Sequence, residues 1–312
     1  MAAFPSHVHS PWHLGRGELW ALTSALAYAL TAIFVRAAVQ GYTINYPMGV
    51  TLRTAPTFAF ALFMVWRGQN SQTVSPWRKG ALAVTLIGYG LLSFVVGNLL
   101  HFTALQTGGV LVTTPLTGTQ VLWAGIIAAI FLRQPLNRRM ILGMIITIGG
   151  IVLLAVAQSG GTPVSPLWWL AVPTAGGAAF CWALSGVLVA AVMERGVGQF
   201  QTLVVATGAA LVALILGLAL TGDLDTFLTT PLEIQGALVL AGLFNAVALV
   251  SVTMALSLTS VASATTLSSL QIGLAPLLAW LFLGEPLSLL MGIGILVIAG
   301  GVILVQRARS GA

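Results

Sequence analysis

Charge is what this chain has least of. Of 312 residues, 12 are Lys or Arg and 6 are Asp or Glu, while 58% are apolar. A soluble domain carries about a quarter charged residues, so that class is excluded. A mean hydropathy of +1.02 makes lipid the solvent for most of the chain. There is one cysteine, Cys181, so no intramolecular disulfide holds the fold together. No H-E-x-x-H, no G-x-S-x-G and no membrane Asp pair is present, so no enzyme, metal site or cofactor is expected. A channel would need a ring of like charges or a filter loop, and neither is readable. The net charge of +6 would point to nucleic acid in a soluble protein. Here the cations flank apolar runs, and nucleic acid is discounted as a partner.

What is present is ten apolar runs long enough to cross a bilayer, near 18–38, 46–66, 80–105, 109–132, 138–158, 167–192, 199–220, 234–257, 261–283 and 287–306. No alternating barrel pattern occurs, so all ten are expected as helices. Arg16, Arg67, Arg78, Lys79, Arg133, Arg138, Arg139, Arg195, Arg307 and Arg309 all fall at one end of a ten-span bundle, and the opposite connectors hold no Lys or Arg. Positive connectors stay in the cytoplasm, which places both termini there. The first residues lack the basic start and apolar core of a cleavable signal. His7, His9 and His13 crowd this tail, where short His tracts are a weak metal signal.

The chain repeats itself. Residues 101–154 and 252–305 align without a gap at an offset of 151, with identities that include Ala104/Ala255, Thr114/Thr265, Gln120/Gln271, Pro135/Pro286 and Gly149-Gly150/Gly300-Gly301. A weaker match sets Tyr28-Ala29-Leu30-Thr31 against Trp182-Ala183-Leu184-Ser185. Two copies of a five-helix unit follow, with expected boundaries of 1–17 (tail), 18–158, 167–306 and 307–312 (tail). Because five is odd, the second copy enters the membrane upside down. Inverted halves can exchange conformations, the basis of alternating access with substrate between them near the midplane.

Polar groups deep in a bilayer belong in a protein interior or a wet cavity. Thr113, Thr117, Gln120 and Ala124 share one face of span 4, and Ser268, Gln271 and Ala275 repeat the last three in span 9. Asn98 and His101 lie three apart in span 3, and Asn245 is in span 8. Tyr28 with Thr31, and Trp182 with Ser185, supply aromatic-plus-hydroxyl pairs; Trp123 shares the Gln120 face as either cavity wall or core. The substrate-contact candidates are therefore Tyr28, Thr31, Asn98, His101, Thr117, Gln120, Trp123, Trp182, Ser185, Asn245, Ser268 and Gln271. Rings for an apolar body and amides for a polar head suit an amphipathic organic molecule. The competing reading, hydrogen bonding between packed helices, applies above all to Ser and Thr.

Every carboxylate sits at a span edge or in a connector, so transport through a buried carboxylate is not expected. Facilitated diffusion or a His101-linked proton step remains. Arg36 and Arg53 sit near the outer ends of spans 1 and 2, where they read first as snorkelling anchors and second as a mouth for a carboxylate-bearing substrate. Glycines Gly143, Gly149 and Gly150, and Gly292, Gly294, Gly300 and Gly301, mark close peripheral packing in spans 5 and 10. Pro56, Pro115, Pro173 and Pro276 predict kinks.

The segment Ala255 to Gly301, with Leu281-Phe282-Leu283-Gly284-Glu285-Pro286-Leu287-Ser288 at its centre, resembles the EamA-type unit of the drug/metabolite transporter superfamily. Ala104 to Gly150 repeats it, with Arg133-Gln134-Pro135 in place of Gly284-Glu285-Pro286. The resemblance implies ten helices in two inverted halves, a cavity lined by spans 1, 3, 4, 6, 8 and 9, and export of small metabolites from a bacterial inner membrane. Within it the chain is similar to the YddG-type exporters of aromatic amino acids, a cargo that Tyr28, His101, Trp123 and Trp182 suit. Other members carry other amphipathic metabolites or drugs. The expected partners are thus a small-molecule substrate and the bilayer, with the oligomeric state open, a monomer included.

Overall fold

A computed structural model describes residues 15–39, 44–69, 74–159, 166–284 and 286–310. Among these, every regular element is helical. Ten helical stretches are long and apolar enough to span a bilayer: Arg16–Val35, Tyr46–Trp66, Gly80–Gly109, Val112–Phe131, Arg138–Gln158, Trp168–Glu194, Gln199–Thr221, Leu232–Leu258, Val261–Phe282 and Leu289–Ala308, called spans 1 to 10 below.

The halves meet pairwise. Span 1 packs along span 8, span 3 along span 6, span 2 along span 7, and span 5 along span 10. Because span 1 corresponds to span 6 and span 3 to span 8, the first two pairings are one contact made twice. The 5–10 crossing shows the same two-fold relation residue by residue. A Cβ on Gly143 would lie 2.8 Å from the Gly301 carbonyl oxygen, and one on Gly150 would lie 2.8 Å from that of Gly294. The repeat offset exchanges these two contacts. Small residues let membrane helices approach backbone to backbone, as the glycine pattern implied. Gly149, Gly292 and Gly300, by contrast, face open space.

Three spans are not simple rods. Span 3 contains a π-helical segment, Leu91–Gly97, and ends at Gly109, whose φ of 62° reverses the chain into span 4. Spans 4 and 9 each break at a hydroxyl residue. Thr119 Oγ1 donates to the Leu116 carbonyl at 2.5 Å and Ser269 Oγ to that of Thr266 at 2.6 Å. The carbonyls of Thr119 and Ser269 then accept from Leu122 and Ile272 three residues on, each at 3.0 Å. These bonds tighten the turn locally, as back-bonding Ser and Thr do. The prolines behave unequally. Pro115 lies one turn before the break at Thr119, whereas Pro276 lies inside the continuous helix Leu270–Leu283, past the break. Pro173 falls in the first turn of Ala171–Glu194, where its missing N–H leaves no helical bond unmade, so the kink expected there has no cause.

Three side-chain hydrogen bonds join the halves at the end bearing the basic connectors. Thr259 donates to Glu18 at 3.0 Å, the Val261 N–H to Gln134 Oε1 at 2.9 Å, and Asn137 to the Ala308 carbonyl at 2.9 Å. Glu18 is buried there. These bonds staple the two halves together at this end.

Candidate functional site

The two halves share an aromatic cluster where span 3 meets span 6. The His101 and Trp182 rings lie 5.2 Å apart, tilted by 54°. The Trp182 indole N–H donates to the Ser93 carbonyl at 3.1 Å, and the Asn98 amide donates to Phe94 at 2.9 Å and to Ser93 at 3.4 Å. The π-helical segment explains these acceptors. Its widened turn leaves carbonyls such as that of Ser93 accessible to a side chain from a neighbouring helix. Gly97 makes room, since a Cβ there would lie 2.7 Å from Trp182 Nε1.

The hydroxyls divide into two groups. Thr31 and Thr117 donate back to their own helix, to Ala27 at 2.9 Å and Thr113 at 3.0 Å; Thr31 also reaches the Ala241 carbonyl of span 8 at 3.4 Å. Ser185 Oγ, Ser268 Oγ, Thr113 Oγ1 and His101 Nδ1 are buried with no hydrogen-bond partner. Buried polar atoms are normally paired, so each such atom asks for an explanation. Ser185 is three residues from Trp182 on span 6 and shares its side of the helix.

Around this pair the remaining candidates are spread over several helices. Tyr28 of span 1 is half-buried and packs against the main hydrophobic core. Asn245 is buried in span 8, and Phe244 beside it stacks on Phe34 at 5.1 Å. Gln120 and Gln271 are half-buried just beyond the breaks in spans 4 and 9. Trp123 stands apart. It meets Phe180 edge-on at 5.6 Å, and Phe180 is about 200° round span 6 from Trp182. Two surface clefts of about 410 and 450 Å³ also lie away from the candidates, the first beside Trp77 and Val204, the second beside Trp20 and Thr23. His7, His9, His13, the Arg36 side chain and Glu285 lie outside the described residues.

Some participants gave no sequence signal. Ser93 acts through a backbone carbonyl, which no residue type announces. Phe180 lies in an apolar run where any aromatic passes as lipid-facing. Tyr46, stacked on Phe102 at 4.0 Å, sits at a span start and reads as an interfacial ring.

A solved crystal structure 18% identical in sequence superposes with a TM-score of 0.76, covering 95% of this chain and 99% of that one. At that identity the match speaks for the fold. No curated protein matches the chain. Residues 15–156 and 169–307 each match the EamA-like transporter family. Two tandem matches, two-fold related helix contacts and a polar-aromatic cluster between the halves lead to one conclusion: the chain belongs to the EamA-like transporter family and is a multi-pass membrane transporter of small molecules.

Proposed function

We propose that the protein exports aromatic or hydrophobic amino acids across a bacterial inner membrane by alternating access, with both termini in the cytoplasm. The observation that carries this reading is the His101–Trp182 contact between the halves, flanked by the unpartnered Ser185 Oγ and His101 Nδ1. Rings offer an apolar wall, and free polar atoms offer a head-group site. The twelve candidates named above are the proposed contact set, with Trp182, His101, Ser185 and Asn98 nearest its centre. The basic connectors at one end support the orientation. On that orientation the stapled end is the cytoplasmic one.

The absence of Asp and Glu from span interiors supports transport without a buried carboxylate. Facilitated diffusion is the reading we favour. An ionophore that collapses the proton gradient leaves flux unchanged in that case, and full dependence on the gradient would transfer the role to His101.

The test is flux into liposomes containing the purified protein, measured across the amino acids. Saturable phenylalanine and tryptophan flux, lost in Trp182→Ala and Asn98→Ala, is the expected result. No saturable flux for any amino acid discards this cargo. The second reading, export of other amphipathic metabolites or drugs, rests on the same rings and amides and would be taken up then.

A further inference from the structure

We infer that Arg53 recognises the substrate through a carboxylate, and that the site accepts aromatic carboxylates whether or not they carry an amino group. This rests on the reading that an aromatic molecule passes between spans 3 and 6, and it assigns the charge selectivity of that same site.

Arg53 lies seven residues into span 2, about 10 Å along the helix from its start, and is half-buried. Span 8 closes on its backbone: a Cβ on Gly242 would lie 2.7 Å from the Arg53 carbonyl oxygen and 2.8 Å from Pro56 Cγ. Two turns before Arg53, Tyr46 stacks on Phe102 of span 3, next to His101. That contact turns the Tyr46–Arg53 face of span 2 toward span 3. The Arg53 charge acts on Tyr28 of span 1, on Tyr46 and on His101 of span 3. A snorkelling anchor would be exposed at the head groups; Arg53 is half-buried and shares the face of span 2 that carries Tyr46.

No hydrogen bond or ion pair joins Arg53 to any other described residue. A partly buried cation with no partner among the described residues is costly, and a carboxylate relieves that cost best, because guanidinium and carboxylate make two parallel charge-assisted bonds. The reverse does not hold for an ammonium group. Glu18 is held by Thr259 at the stapled end, and Asp223 by Thr221. Glu194 closes span 6, Asp225 precedes span 8, and Glu233 begins it. None of these five is at the Trp182–His101 contact, so an amino group there would find ring faces and carbonyls and no counter-charge among the described residues.

The experiment is ligand-induced stabilisation of the purified protein, titrated with phenylalanine, 3-phenylpropanoate (carboxylate, no amine) and phenethylamine (amine, no carboxylate). Phenylpropanoate is expected within about threefold of phenylalanine in apparent affinity, and phenethylamine at least about tenfold weaker, the scale of one charged hydrogen-bonded contact. Arg53→Gln should weaken both carboxylates by about tenfold or more, and Arg53→Lys should fall between. If Arg53→Gln does not fold, Arg53→Lys carries the comparison, because it keeps the charge and loses the fork. Phenethylamine binding as tightly as phenylpropanoate overturns the inference. So does unchanged carboxylate affinity in a folded Arg53 variant, or no stabilisation of the wild type by either carboxylate. Liposome flux separates the two readings. Carriage of phenylpropanoate without any amino acid sustains the Arg53 inference and discards the amino-acid cargo. Phenylalanine flux indifferent to Arg53→Gln does the opposite.

Discussion

The Trp182 indole N–H donates to the Ser93 backbone carbonyl across 3.1 Å, joining span 6 of the second half to the π-helical segment of span 3 in the first. The second half has no counterpart. Span 8 is one unbroken helix, Leu232–Leu258, with no π-helical segment. The two halves are therefore related in helix packing and different at the cluster, which gives the 3–6 contact its own chemistry.

Gly97→Ala tests that contact. The added methyl would collide with the indole at Nε1 and Cδ1. We expect a loss of about 1–3 kcal/mol in stability, the usual cost of overpacking, together with a shift in Trp fluorescence. Trp182→Phe keeps a ring and loses only the N–H donor, so it should retain more flux than Trp182→Ala. Thermal melts and initial flux rates check both.

At the 5–10 crossing the expected effect is on stability. Gly150→Val or Gly301→Val drives a side chain into the opposing backbone, and should cost about 1–3 kcal/mol or more. The folded fraction should keep its substrate affinity. Gly149→Ala and Gly300→Ala, which face open space, should melt like the wild type.

Thr119 and Ser269 lie one in each half, at the breaks in spans 4 and 9. Removing both hydroxyls with Thr119→Val and Ser269→Ala deletes the bonds to Leu116 and Thr266. Maximal flux should fall severalfold while ligand stabilisation changes little. An effect confined to affinity would assign these residues to the binding surface instead.

Gln134→Ala removes the acceptor for the Val261 N–H at the start of span 9. Losing such a cap costs about 0.5–2 kcal/mol, enough to move a two-state equilibrium by about two- to thirtyfold. Amide exchange over 261–264, followed by mass spectrometry, should accelerate accordingly as the stapled end opens.

Much of the architecture is legible in the sequence because lipid enforces it. Ten apolar runs fall within a few residues of the observed spans, and Gly143, Gly150, Gly294 and Gly301 meet as their pattern implied. The site is less legible. The twelve candidates were chosen as polar or aromatic residues in a membrane, a rule that brings His101, Trp182 and Asn98 together but does not bring Trp123 to them. The π-helical turn left no mark, since Leu91–Gly97 is as apolar as any regular helix around it. The break in span 9 tracks the Ser269 hydroxyl rather than Pro276, a distinction that depends on hydrogen bonds and not on propensity.

Passage of a small molecule between the halves at the 3–6 contact is tested most directly by thiol labelling from both sides of the membrane. Cys181→Ser removes the native thiol, and Ser185→Cys or Ser268→Cys places one at a buried hydroxyl with no partner. A membrane-impermeant thiol reagent should modify these positions from the outer face and from the cytoplasmic face, with phenylalanine slowing both reactions. Labelling from one face only, or rates indifferent to every substrate tested, would contradict alternating access through this cluster.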